Sequence, residues 1–289
     1  MPYSQHRHAI LISICFFLAM SLSAVWFFQN HLTAKGNAAA ARPAADPIPT
    51  VFVHGYKGTA NSLGGMLNRL EESGVAEKAM VIHVTADGLI VANGQVSKQD
   101  RHPMIQVILS QNRSSFRQTA EWLEKVMHIL YTKYDVKEAY LVGHSMGGLI
   151  CTKYIEETSH QPNYPVIRKL VTIGSPYHGV LVQRFKQNPN NTGAAARDLL
   201  PGSNALKALF ANKNRFGGKI EVLAIAGVVK NPASGDTLVS LDSALGGKSI
   251  VPAGRYTSKI VYGKNAQHSR LHENKKVDHM VGNFLWKEK

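Results

Sequence analysis

The chain has 289 residues, enough for one large domain or two small ones, and 33 basic against 19 acidic side chains leave a formal charge of +14. A hydrophobic share of 44% excludes wholesale disorder and collagen-like sequence. Two cysteines, Cys15 and Cys151, exclude a disulfide framework and any cysteine-held zinc or iron–sulfur cluster, while the charge leaves nucleic acid, a membrane surface or another polyanion open as partner.

Residues 9–28 (AILISICFFLAMSLSAVWFF) carry no charge, and at helical rise they are long enough to cross a hydrocarbon core of ~30 Å. A short head, 1–8, precedes the run with Arg7, and Trp26-Phe27-Phe28 would form an aromatic interfacial end. An Ala-, Pro- and Gly-rich linker, 29–48, follows. We expect an uncleaved transmembrane signal anchor at 9–28, with the C-terminal domain extracellular. The alternative is a secreted form cleaved around 39–41, but the run is long for a signal peptide and those alanines lie far from its end. Cys15 is a poor lipidation site, because it lies inside the run and follows Ile14.

From Pro49 the pattern becomes α/β. Residues 50–53 form a short apolar run ending at His54-Gly55, as a buried parallel strand should. Leu63, Met66, Leu67 and Leu70 give 61–72 helical spacing, and 79–84 reads as a second strand. Segments 89–92 and 95–97 flank Asn93-Gly94, the signature of a tight hairpin. A long amphipathic helix is predicted over 114–134, a strand over 139–142 and a helix over 149–157. Further strands are expected within 166–173, 220–226 and 259–262, before a closing helix at 277–286. Between 178 and 216 the chain turns polar and Asn-rich, where a cap would sit. Strands alternating with helices along 49–289 predict a mostly parallel sheet with helices on both faces and a cap-like insertion.

The strand at 139–142 runs into Gly143-His144-Ser145-Met146-Gly147-Gly148 and then a helix. This is G-x-S-x-G in the context that gives it meaning: a sharp strand-to-helix turn that projects a nucleophilic serine from the end of a sheet. Bulky His144 and Met146 around the serine make it a poor dinucleotide-binding glycine loop. An oxyanion hole would take one backbone N–H from Met146 and one from Tyr56, after the first strand; His54 is expected to pack beneath that loop. The acid should follow the strand at 220–226, which selects Asp236 over Asp242 and Asp198. Asp242 reads as a surface or capping carboxylate. The base should follow the last strand, which selects His268; His272 and His279 are expected to be surface or helix-packing residues. A metal at His268 and His272 would need a third ligand that the sequence does not offer.

With these residues in view, 49–289 resembles the α/β-hydrolase superfamily. More narrowly it is similar to a family of uncharacterised cell-surface α/β hydrolases of Gram-positive bacteria. The likeness rests on Phe52-Val53-His54-Gly55-Tyr56, Pro103-Met104-Ile105-Gln106-Val107, the serine turn, Gly174-Ser175-Pro176-Tyr177 and His268-Ser269-Arg270-Leu271-His272-Glu273-Asn274 before Phe284-Leu285-Trp286. The resemblance implies the α/β-hydrolase fold, a Ser145–Asp236–His268 triad and an anchored or exported protein, but no substrate. Related small lipases carry the base in an H-x-x-L segment, which His268 and Leu271 match. Their acid often has glycine next; here Thr237 stands there.

The expectation is therefore a serine hydrolase of carboxylic esters or lipids, needing neither cofactor nor metal. An acyltransferase with the same nucleophile and a non-catalytic cell-surface binding protein remain open as alternatives. The charge is unevenly placed. Residues 49–180 hold 13 basic and 11 acidic side chains, 181–220 hold seven and one, and 245–289 hold nine and three. The excess falls in segments that this fold would set near the active-site mouth. A solvated basic face is the plainer reading; the sharper one is an anionic lipid or wall polymer, besides the substrate and the membrane reached through 9–28, and no nucleic acid.

Overall fold

A parallel strand covered on both faces needs an unbroken apolar run, and its period of two sends alternate side chains to opposite sides. Thr50–Val53 (β1) does this: Val51 and Val53 join one hydrophobic core, Phe52 the other, and every residue is buried. In the computed structural model, which describes residues 46–287, β1 lies inside an eight-stranded sheet. The other strands are β2 (Glu77–Val84), β3 (Ile90–Gly94), β4 (Pro103–Leu109), β5 (Glu138–His144), β6 (Val166–Ile173), β7 (Glu221–Val228) and β8 (Tyr256–Tyr262). Their order is β3-β2-β4-β1-β5-β6-β7-β8, parallel throughout except for the β2–β3 pair. Residues 47–287 form one compact unit.

The helices are α1 (Asn61–Glu72), α2 (Phe116–Lys133), α3 (Met146–Thr158), α4 (Val182–Lys186), α5 (Ala194–Asp198), α6 (Asn204–Ala211), α7 (Leu241–Leu245), α8 (His268–Leu271) and α9 (Lys275–Trp286). One face of the sheet is covered by α1 and α9, through Leu63, Met66, Leu67 and Leu70 on the first and Val277, Val281 and Leu285 on the second. Burying each such side chain contributes roughly 1.5–3 kcal/mol. The opposite face takes α2 and α3, with Leu123, Val126, Met127 and Leu130 against Leu149, Ile150 and Tyr154. At the start of α2 the Ser115 hydroxyl accepts the Gln118 N–H at 3.1 Å, satisfying a donor that the helix itself cannot. The fold is thus the predicted doubly covered parallel sheet. The cap-like segment holds three short helices, α4 to α6, and packs into the α2–α3 core through Phe185, Ala195, Leu206 and Leu209.

Two local readings are corrected. Asn93-Gly94 is not a hairpin turn: β3 runs through both residues, with Gly94 opposite Met80, and the turn lies at 85–89, where the Thr85 N–H donates to the Leu89 carbonyl at 2.9 Å. Glycine is needed at 94 for another reason, since a Cβ there would stand 2.2 Å from the Ala79 carbonyl oxygen. The second correction is β4, which enters the sheet between β1 and β2 from a segment where the sequence predicts no strand. The charge-free run 9–28, its head and the linker up to 45 lie outside the described residues. No described helix is long and apolar enough to cross a membrane.

Candidate active site

Ser145 sits between β5 and α3 with φ 55° and ψ −127°, a backbone conformation that costs of order 1–3 kcal/mol for a residue with a side chain. The turn is held by the Ser145 N–H donating to the Ile173 carbonyl at 2.8 Å and the Gly148 N–H donating to the Ser145 carbonyl at 3.1 Å. Its glycines answer to space. A Cβ on Gly143 would lie 2.3 Å from the Gly148 nitrogen, and one on Gly147 would lie 2.1 Å from the Val53 carbonyl oxygen. Neither neighbour is a side chain that could move aside.

Three of the selected residues meet. His268 opens α8, and its Nε2 lies 3.0 Å from Ser145 Oγ. On the other side of the ring, Nδ1 lies 2.7 Å from Asp236 Oδ2. A carboxylate accepts, so Nδ1–H donates to it; Nε2 is then bare and accepts the serine hydroxyl proton. Asp236 is completely buried, and its second oxygen accepts the N–H groups of Leu238 at 2.9 Å and Val239 at 2.7 Å. A further backbone bond joins the pair, the His268 N–H donating to the Asp236 carbonyl at 2.8 Å. Thr237, where the resemblance led one to expect glycine, has φ 79°, the region that favours glycine. It is held by its N–H donating to the Ser234 carbonyl at 2.9 Å.

The two amides selected for an oxyanion, those of Tyr56 and Met146, have no hydrogen-bond acceptor among the described residues. His54 takes the expected place beneath that loop. Its Nδ1–H donates to the Gly55 carbonyl at 2.9 Å, Nε2 accepts the Leu109 N–H at 2.9 Å, and burial lowers its pKa. The rejected acids have other partners: exposed Asp242 meets His178 Nδ1 at 2.8 Å, and Asp198 accepts the Phe116 N–H at 2.8 Å at the start of α2.

His279 is exposed on α9, but the expectation for His272 is corrected. That ring is buried and lines the cleft, with Nδ1 2.9 Å from Glu273 Oε1 and a pKa lowered by burial. It is enclosed because Arg69 of α1 binds the His272 carbonyl at 2.9 Å, Glu273 at 2.8 Å and Asp278 at 2.6 Å, drawing α9 against α1. His144 went unselected. Its Nε2–H donates to the His268 carbonyl at 3.2 Å, and its ring lies 4.9 Å from that of His268 and 4.6 Å from that of His272. Burial first, then the two neighbouring imidazoles, hold its pKa well below the ordinary histidine value. Position 144 beside the nucleophile was the only sequence signal for it.

A cleft of about 800 Å³ opens over Ser145, walled by the loop after β1, residues of the 180–199 segment, Thr237 and Leu238, and Gln267, His268, Ser269 and His272. Among the described residues no three His, Cys, Asp or Glu side chains are grouped to hold a metal ion.

An eight-stranded, mostly parallel sheet carrying a strained serine on its strand-to-helix turn is the architecture of the α/β-hydrolase fold. The chain belongs to the family of alpha/beta hydrolases of unknown function designated DUF915, which matches residues 38–288. Among solved structures, a gene product of Listeria innocua is 31% identical, with 84% of this chain and 96% of that one covered at a TM-score of 0.72. A candidate cell surface hydrolase of Lactobacillus plantarum is 25% identical over 85% of this chain and 94% of that one, with a TM-score of 0.67. A lipase of Bacillus licheniformis shares the fold at a TM-score of 0.54 and 15% identity, covering 84% of this chain and 94% of that one. No curated protein matches the chain.

Proposed function

We propose that this chain is a serine hydrolase that cleaves carboxylic esters or lipids through an acyl-enzyme. The observation that carries the reading is the line Ser145 Oγ–His268 Nε2 at 3.0 Å and His268 Nδ1–Asp236 Oδ2 at 2.7 Å. His268 Nε2 takes the Ser145 proton as Oγ bonds to the acyl carbon, and the carbonyl electron pair moves to oxygen. The Tyr56 and Met146 N–H groups hold that oxyanion, and Asp236 orients and stabilises the imidazolium. Collapse breaks the bond to the alcohol oxygen, which leaves with the proton from Nε2. Water then attacks the acyl-enzyme with His268 again as base, giving the acid and restoring the serine.

The domain 49–289 would work at the cell surface, held by 9–28. The likeness to a candidate cell surface hydrolase supports this placement. Its basic segments would face anionic envelope lipids or polymers. A fluorophosphonate probe on the full-length chain tests the activity: Ser145 is expected to label, and Ser145→Ala to remain unlabelled. Absence of serine-dependent labelling would favour a non-catalytic binding protein. Product analysis with an added alcohol separates hydrolysis from acyl transfer.

A further inference from the structure

The cleft over Ser145 carries charge of one sign. Lys57 and Arg184 line it, and no Asp or Glu does. Neither cation has a carboxylate partner among the described residues. Lys57 follows Tyr56 at φ 58°, a conformation that a lysine adopts at a cost, and its Nζ donates to Asn191 Oδ1 at 2.6 Å. Asn191 in turn donates from Nδ2 to the Phe185 carbonyl at 2.7 Å, so the ammonium is tied to α4, the helix that also carries Arg184. An ammonium has three protons; Asn191 takes one and two remain to donate. Burial and then the nearby Arg113 guanidinium lower the Lys57 pKa, so a proton is retained there against like charge. A bound anion relieves that crowding. Beside the two cations, Val180, Phe185, Leu199 and Leu238 give the lining an apolar part that suits the hydrocarbon portion of a substrate.

Resting on the serine-hydrolase reading, we infer that the substrate is an ester bearing an anionic group, a carboxylate or phosphate, that Lys57 and Arg184 receive. Two kinds of ester share this chemistry. The anion lies on the acyl side in a dicarboxylic half-ester and on the alcohol side in an acylated glycerol phosphate. Lys57 and Arg184 then decide which esters reach Ser145, while the Ser145–His268–Asp236 line does the same chemistry on each.

The test compares matched pairs on the full-length chain in non-ionic detergent: an umbelliferyl hemisuccinate against the butyrate, and a butyryl glycerol phosphate against monobutyryl glycerol. The anionic member of at least one pair is expected to show about tenfold higher kcat/KM, the order that one charge-assisted hydrogen bond supplies. That preference should shrink with added salt and fall to about unity in the Lys57→Gln/Arg184→Gln double variant. Which pair responds tells the acyl side from the alcohol side. Preference for the neutral member in both pairs, or an anionic preference that survives in the double variant, overturns the inference. The same pairs are titrated calorimetrically onto Ser145→Ala, which reads the preference without turnover. Equal affinities there overturn the inference even if Ser145 labels with fluorophosphonate. Absent labelling together with tighter anion binding would instead overturn the hydrolase reading and leave the anion site standing.

Discussion

Asp236 accepts from three donors, the Leu238 and Val239 amides and His268, and none of its surface reaches solvent. Asparagine would keep the size of the side chain but could present an N–H to Nδ1, favouring the tautomer whose Nε2 already carries a proton. Asp236→Asn is therefore expected to reduce kcat about 10⁴-fold while the protein still folds. A loss below tenfold would remove Asp236 from the mechanism. His268→Ala should abolish turnover, whereas His272→Ala should retain most of it; the reverse pattern would move the base to His272. The meeting of His268 with Asp236 was legible in chain order and strand ends. The burial of His272 was not, because the Arg69 that encloses it belongs to α1, far away in sequence.

At the scale of elements, Gly55 links β1 to the serine turn. A Cβ there would lie 2.7 Å from Ser145 Cβ and 2.8 Å from the His144 carbonyl oxygen. Gly55→Ala is expected to fold but displace the serine, lowering kcat/KM by about 10²-fold, the effect of a misplacement near 1 Å. Labelling of that variant at the wild-type rate would contradict the close packing. Elements with strong periodicity, such as α1 and α2, were legible because their buried faces repeat at helical spacing. β4 was not, since Pro103 opens it and polar Gln106 interrupts its apolar run. Both are tolerated: proline can start a strand, and Gln106 Nε2 donates to the Ala60 carbonyl at 2.6 Å. Asn93-Gly94 misled for the opposite reason, because a turn signature there serves a close strand approach.

For the molecule as a whole, stability should depend on pH through groups that folding buries. His54, His144 and His272 have lowered pKa values, so the unfolded chain binds protons near pH 6.5 that the fold refuses, and their contribution is lost as pH falls below it. Glu124 and Glu156 act in the other direction. Burial, aided at Glu124 by Glu157, raises both to about 8, so the fold keeps protons that the unfolded chain releases near 4.5, and stability falls as pH rises between those values. Above about pH 7.5, roughly a unit past the ordinary histidine value, the unfolded histidines are neutral as well and only the carboxyl effect remains, so Tm is expected to decline toward pH 8. Glu156 is buried, and its Oε1 has no partner among the described residues. Glu156→Gln should raise Tm at pH 8 by about 3 °C or more, and by less at pH 5. An unchanged slope in that variant would show that Glu156 ionises normally in the fold.

The +14 charge marks the boundary between what can be read from the chain and what cannot. By itself the sequence determined the alternation of strands and helices, the strained serine turn and the chain order of Ser145, Asp236 and His268, because each is written in local spacing and in strand ends. It also showed which segments are basic. Only the tertiary structure decided that Lys57 and Arg184 share a cleft free of carboxylates, that His144 supports the His268 backbone, and that Arg69 encloses His272. Charge compensation and burial depend on which distant segments meet in space, and no local pattern encodes that meeting.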